Sequence, residues 1–245
     1  MIIKLTEDDS MATDTLLPAT ATPPLRHGER MDREEFERRW DAMPDLKFAE
    51  LIEGVVYMSA ALSTKHGSTH FSLQGWLFFY QAQTRGVIGA DNASVRFDRR
   101  NMPQPDSLLR IEESLGGQSR VSSDDYFEGG PELIAEIANT TKSRDLGVKK
   151  TVYLRNGVRE YIVWRIQDKA IDWFILREDE YVSLLPGPDG ITRSEVLPGL
   201  WLDTVALIAG DLTKVLQAAQ LGIGSPEHLA FITELRNREA ASGGT

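Results

Sequence analysis

The spacing of apolar and polar positions changes several times along the chain. In MDREEFERRWDAM, Phe36 and Trp40 stand four apart, on one face of a short helix. Asp32 is placed to cap it, Glu35 to complete a capping box, and Met31 and Phe36 to form a hydrophobic staple. FAELIEGVVYMSA reads as two short strands turned at Glu53-Gly54. HGSTHFSLQGWLFFYQAQ carries Phe71, Leu73, Leu77, Phe78 and Tyr80 and predicts a largely buried helix ending near Arg85-Gly86. VIGADNASVRFD alternates around Val95 and Phe97 as a strand, and PDSLLRI, opened by Pro105, is another. The long polar loop EESLGGQSRVSSDDYFEGG then separates PDSLLRI from the apolar strand ELIAEIA.

SRDLGVKKTVYLRNG reads as a helix capped by Ser143 and stopped at Asn156-Gly157. REYIVWRI, AIDWFILRE and EYVSLLP are strands of a meander, turned at Gln167-Asp168-Lys169 and at Asp179. LDTVALIAGDLTKVLQAAQ, with one internal glycine, predicts a helix, and SPEHLAFITELRNREAA a second, capped by Ser225. Residues 1–27, rich in Thr, Ala and Pro and without periodicity, read as a flexible leader. The division expected is leader 1–27, main domain 28–205 and helical extension 206–245. This order of elements predicts an α/β domain, a mixed sheet with helices packed on it.

Composition narrows the chemistry. The 245 residues are 41% apolar, enough for a real core, and contain no cysteine, which excludes disulfides, thiolate catalysis and thiolate metal sites. No apolar run approaches the ~18 residues of a membrane span. The N-terminus lacks the apolar stretch of a secretory signal, so a cytoplasmic protein with no membrane contact is expected. The net charge of −10 argues mildly against sequence-independent binding to nucleic acid. Against that, Lys142, Arg144, Lys149, Lys150, Arg155 and Arg159 face only Asp145 between residues 142 and 159. On composition alone such a run is a solvated helix face, with a basic groove as the other reading.

Glu136 breaks the apolar run of ELIAEIA, and an ionised carboxylate does not enter an apolar layer uncompensated. Asp106 stands at the mouth of PDSLLRI, and Lys149 on the helix after Glu136. If the two strands pair, the carboxylates could meet, and two carboxylates with carbonyls and waters suit Mg²⁺. A bland account exists for each: a strand-end carboxylate reaching solvent, a Pro-Asp turn, and an exposed pair of Lys149 with Asp145. Lys150 is adjacent, so the register of the lysine is open by one residue. His66 and His70 have the spacing of helical metal ligands, but no third ligand is evident, and His66 reads as a capping or site-adjacent residue. Trp76, Phe78, Phe79 and Tyr80 read as core or dimer surface. No phosphate-binding glycine loop and no nucleophile elbow is present.

The pieces AELIEGVVYMSAALSTKH, QPDSLLRI, PELIAEIAN, D-LGV-K-KTV-Y and GVREYIVW, in that order from about residue 30 to 205, resemble the Uma-two family, described as putative restriction endonucleases of the PD-(D/E)XK nuclease superfamily. The resemblance implies a restriction-endonuclease-like mixed β-sheet flanked by helices. It implies metal-binding acids at Asp106 and Glu136 and a further acid at Glu50, able to bind the metal directly or through water. The superfamily's Glu-x-Lys lysine is replaced by Ala138 here, and the resemblance supplies it from the next helix as Lys149. Asn139-Thr140-Thr141 departs from the family's usual run after the glutamate, and Ile162 stands where it has tryptophan. The activity implied is hydrolysis of DNA phosphodiester bonds with Mg²⁺, for which Mn²⁺ could substitute, by a homodimer. The alternative is a catalytically inactive nuclease-fold module that binds protein or nucleic acid.

Overall fold

In a computed structural model, which describes residues 22–58 and 63–242, α1 (Arg33–Asp41) begins where the Asp32 carboxylate accepts the Glu35 N–H at 3.0 Å. The expected return bond from Glu35 is not made. Arg38 and Arg39 both donate to its carboxylate, and a charge-assisted pair outbids a backbone amide. Met31 and Phe36 do join one apolar cluster. The leader lies outside the described residues up to residue 21.

β1 (Ala49–Ile52) and β2 (Val55–Met58) form the expected hairpin. Glu53 and Gly54 have φ of 51° and 71°, the mirror-image turn that matches strand twist. α2 (Thr64–Gln83) is capped by Ser63, which accepts the His66 N–H. It buries Leu73, Trp76, Leu77 and Tyr80. Phe71 and Phe78, expected inside, are 81% and 67% exposed. They stand seven apart, so they share a stripe, and it is the one turned from the core.

β3 (Val87–Asp91) and β4 (Val95–Arg96) replace the single strand expected there, because Asn92 at φ 50° breaks the extended run. β5 (Ser107–Ile111) follows. The polar loop contains β6 (Arg120–Val121) and β7 (Phe127–Glu128), which with β4 form a small sheet in the order β4-β7-β6. Next come β8 (Leu133–Ala138), α3 (Lys142–Arg144), a π-helical turn at Asp145–Lys149, and α4 (Lys150–Arg155). The cap expected at Ser143 is displaced. Ser143 lies inside α3, and Thr141 before it donates its hydroxyl to Asp145 at 2.5 Å.

β9 (Glu160–Arg165), β10 (Ala170–Arg177) and β11 (Glu180–Ser183) make the meander. β12 (Ile191–Arg193) pairs with β13 (Trp201–Asp203). The helix expected from Leu202 is instead the end of β13 followed by α5 (Thr204–Ala209) and α6 (Leu212–Ile223), broken at Gly210 with φ 78°. Asp203 and Asp211 each restart the helical bonds as caps. α7 (Pro226–Ser242) closes the chain with Ser225 accepting the His228 N–H. None of the described helices is long and apolar enough to cross a membrane.

The central sheet runs β11-β10-β9-β8-β5-β3. Only β8 and β9 are parallel, joined by the α3–α4 crossover. β5 and β8, at the centre, are buried along their whole length, and apart from Ser107, Arg110 and Glu136 they are apolar. Side chains alternate between faces. Leu133, Ala135 and Ile137 enter the core that holds α2 and α6, with Trp76, Tyr80 and Val215. Ile134 and Ala138 enter the opposite core beneath α4, with Leu108, Val152 and Tyr153. Glu136 and Asp106 fall on this second face by the same alternation.

Candidate active site

β5 and β8 are antiparallel with Ser107 opposite Ala135, so Asp106 and Glu136 are neighbours across the strands. The Asp106 carboxylate accepts the Ile137 N–H through Oδ2 at 2.6 Å. The acid at the mouth of one strand is thereby fixed to the backbone beside the other acid.

The crossover lays Lys149 over the same face. Its Nζ is 2.6 Å from Glu136 Oε1 and 2.7 Å from Glu50 Oε1, and the residue is 2% exposed. Glu50 reaches this point because β1 bonds through Leu51 to Met102, on the segment that leads into β5. Glu50 Oε1 also accepts the Gln104 N–H at 3.1 Å, and Arg144 stands 3.7 Å from Oε2. Tyr153, one helical turn beyond Lys149, donates its hydroxyl to Glu136 Oε1 at 2.5 Å.

The four residues named from sequence therefore converge. The lysine is Lys149 and not Lys150, whose Nζ lies over the Phe174 ring, 3.4 Å from its centroid. Lys149 makes no ion pair with Asp145; its partners are the two glutamates. The basic stretch does not form one surface. Lys142 pairs with Asp168, Arg155 with Glu53, and Arg159 is exposed. Only Arg144 and Lys149 of that stretch reach the site.

A cavity of about 460 Å³ opens over these groups, lined by Glu50, Asp106, Glu136, Asp145, Arg144 and Lys149 together with His66, Asn139 and Gln104. Four carboxylates thus face two permanent cations. The electrostatics follow from that imbalance. Burial pushes Glu136 up to about 8, with Asp106, Asp145 and Glu50 adding to the rise against the pull of Lys149. Burial also raises Asp145. Burial would lower Lys149, but Glu136 and Glu50 reverse it and hold the ammonium protonated. Asp106 is the exception: burial works against it, yet His66, the Ile137 N–H and Lys149 keep it below its ordinary value. His66 is raised by Asp106.

Among the described residues, no three His, Asp or Glu side chains are gathered as a ready-made metal cluster. Mg²⁺ does not require one, because it retains several waters and binds through one or two carboxylates. The hydrogen bonds engage Asp106 through Oδ2 and Glu136 through Oε1, leaving the second oxygen of each for such an ion.

Sequence reasoning passed over Tyr153, Asp145 and Gln104 as site residues. Tyr153 and Asp145 lie four residues after and before Lys149, which on a helix is the same face. That spacing was the available signal. Gln104 acts through its backbone amide, for which a sequence holds no sign.

Fold and geometry define an α/β protein of restriction-endonuclease-like architecture, with two strand-borne acids and a crossover lysine around one cavity. The chain belongs to the Uma2 family, whose description is "Putative restriction endonuclease" and whose match spans residues 33–206. It is also similar in structure to a protein of Anabaena variabilis described as a putative nuclease belonging to DUF820. The TM-score is 0.51 at 14% identity, covering 69% of this chain and 97% of that one. That likeness shows the fold. No curated protein matches.

Proposed function

We propose that the protein is a divalent-metal-dependent endonuclease that hydrolyses DNA phosphodiester bonds at this cavity. The observation that carries the reading is the charge imbalance in a buried place: Glu50, Asp106, Glu136 and Asp145 against Lys149 and Arg144. Buried carboxylates in excess take up either protons or a cation. Asp106 and Glu136 would hold Mg²⁺, and Mn²⁺ could replace it. The ion's contribution when bound is Lewis-acid polarisation of a phosphoryl oxygen.

The remaining roles belong to the chain. An ammonium has three N–H donors, and Lys149 spends two on Glu136 and Glu50. The third is available to orient an attacking water or to steady charge on the phosphate. Glu50, with its oxygens turned to Lys149, Arg144 and the Gln104 amide, holds the lysine in place and would reach an ion through water. Tyr153 fixes the Glu136 carboxylate. Cutting both strands of a duplex calls for two such sites, which a homodimer would provide.

The test is nicking of supercoiled plasmid with Mg²⁺ or Mn²⁺, by wild type and by Asp106→Asn and Lys149→Met. Metal-dependent nicking lost in both variants supports the reading. Equal nicking by all three refutes it. Asp106-dependent metal binding without cleavage of duplex, branched or single-stranded DNA favours the inactive binding module instead.

A further inference from the structure

Among the described residues, the buried side-chain polar atoms without a hydrogen-bond partner are Glu29 Oε2, Arg33 Nε, His66 Nε2 and Arg144 Nε. Glu29 is paired with Arg39 and Arg33 with Glu37, and none of these four lines the cavity. His66 faces Asp106, its charged partner, at 3.6 Å. Arg144 is different. It lines the cavity, and a guanidinium keeps its charge. A buried donor left unpaired destabilises the fold, and one in the wall of a cavity marks a place that a ligand completes.

The guanidinium is held in place while its donors stay free. Glu50 and Tyr57 are cross-strand partners in the β1–β2 hairpin, so their side chains share a face. Arg144 lies against both. Its Cζ is 4.9 Å from the centroid of the Tyr57 ring, and a terminal nitrogen is 3.7 Å from Glu50 Oε2, beyond hydrogen-bond range. A ring face holds a guanidinium as a cation and leaves the N–H donors at its edge open. Lys149 meets the other oxygen of the same carboxylate, Glu50 Oε1, at 2.7 Å. Two cations therefore flank Glu50, and they differ. Lys149 is engaged by two carboxylates. The carboxylates around Arg144 already accept from other donors: Glu50 from Lys149 and the Gln104 N–H, Glu136 from Tyr153, Asp106 from the Ile137 N–H, and Asp145 from Thr141.

We propose that Arg144 binds a backbone phosphate of the DNA seated in the cavity beside Lys149, through Nε–H and a terminal N–H. The proposal rests on the nuclease reading above and names the group that admits a polyanion to a cavity walled by carboxylates. A phosphodiester presents two non-bridging oxygens and one negative charge. The planar fork of a guanidinium matches that pair of acceptors, whereas an ammonium meets a phosphate as a point charge. The ligand thus brings the acceptors that the walls of the cavity do not offer Arg144.

The experiment is fluorescence anisotropy of a labelled duplex oligonucleotide titrated with the full chain over a range of NaCl concentrations. Asp106→Asn with a chelator present serves as the parent, so that binding is read without cutting. Each phosphate neutralised by a cation contributes about 0.9 to the slope of log affinity against log salt. Arg144→Met is expected to reduce that slope by about 0.9 and to weaken binding roughly five- to tenfold near ~0.1 M NaCl. Arg144→Lys is expected to keep the slope, because the charge stays, and to bind more weakly than the parent, because the fork is gone. An unchanged slope in Arg144→Met overturns the proposal. An equal loss of slope in both variants, as a disturbed chain would give, overturns it too. Metal-dependent nicking by the wild type leaves the nuclease reading standing in either case. The expected slope change without any nicking keeps Arg144 as the phosphate contact of a binding module. No DNA binding overturns the proposal, and no nicking besides overturns both.

Discussion

Lys149 Nζ lies 2.6 Å from Glu136 Oε1, although the two residues come from different elements. The strand delivers the acid and the crossover delivers the ammonium. A lysine two residues after the glutamate would sit on the same strand and face; Ala138 takes that place and packs into the core beneath α4. Moving the lysine to the crossover lets it meet Glu136 and Glu50 at once.

Lys149→Met should therefore be severe. It leaves two glutamates buried without their cation, and breaking a buried pair from one side costs about 3–5 kcal/mol. Urea unfolding of the metal-free protein measures it. Adding Glu50→Gln to Lys149→Met should recover part of the loss, since one uncompensated charge is removed. A loss below about 1 kcal/mol would place the pair at an exposed surface.

The Asp106 carboxylate has two separable jobs, and two substitutions divide them. Asp106→Asn keeps an oxygen for the Ile137 N–H, so stability should change by less than about 1 kcal/mol while divalent-ion binding is lost. Asp106→Ala orphans that amide as well and should cost roughly 1–3 kcal/mol more. Denaturation curves paired with calorimetric Mg²⁺ titrations read both quantities.

Much of this arrangement was legible in the sequence. The Glu53-Gly54 turn, the Asp32 and Ser225 caps and the β9–β11 meander follow from local rules, and local rules are what a sequence displays. Glu136 was visible as a charge in an apolar run. What was hidden depends on the partner surface. Phe71 and Phe78 look as apolar as Trp76 and Tyr80, and only the sheet decides which stripe of α2 it covers. The polar loop held β6 and β7 because β7 pairs with β4, far along the chain, and β6 in turn pairs with β7. The convergence of Glu50 with Lys149 rests on the hairpin docking beside Met102, a contact with no local signature.

A pH dependence follows from Glu136. Its folded-state value, about 8, lies above its ordinary 4.5, so the folded chain keeps a proton that the unfolded chain releases. Stability from this group is complete below about pH 4.5 and is lost as pH rises through about 8. Lys149, Asp106, Asp145 and Glu50 surround it, and Tyr153 bonds to it. His66, also raised, contributes with the same sign. Metal-free wild type should lose more stability than Glu136→Gln between about pH 5 and pH 9. Thermal unfolding across that range measures the difference, and parallel curves would contradict the assignment.

Phe71→Ser and Phe78→Ser give the complementary test of the fold. With both rings largely in water, each change should stay within about 0.5 kcal/mol. By contrast Trp76→Ala, in the core against Trp173, should cost roughly 3–5 kcal/mol. Comparable losses at all three positions would mean that α2 is rotated about its axis.

The central claim is that Asp106 and Glu136 hold one divalent ion beside Lys149. Anomalous diffraction from Mn²⁺-soaked crystals tests it most directly. The account predicts a peak about 2.0–2.4 Å from an oxygen of each carboxylate, absent from crystals of Asp106→Asn. No peak between the two carboxylates at saturating Mn²⁺, or a peak that survives Asp106→Asn, would contradict it.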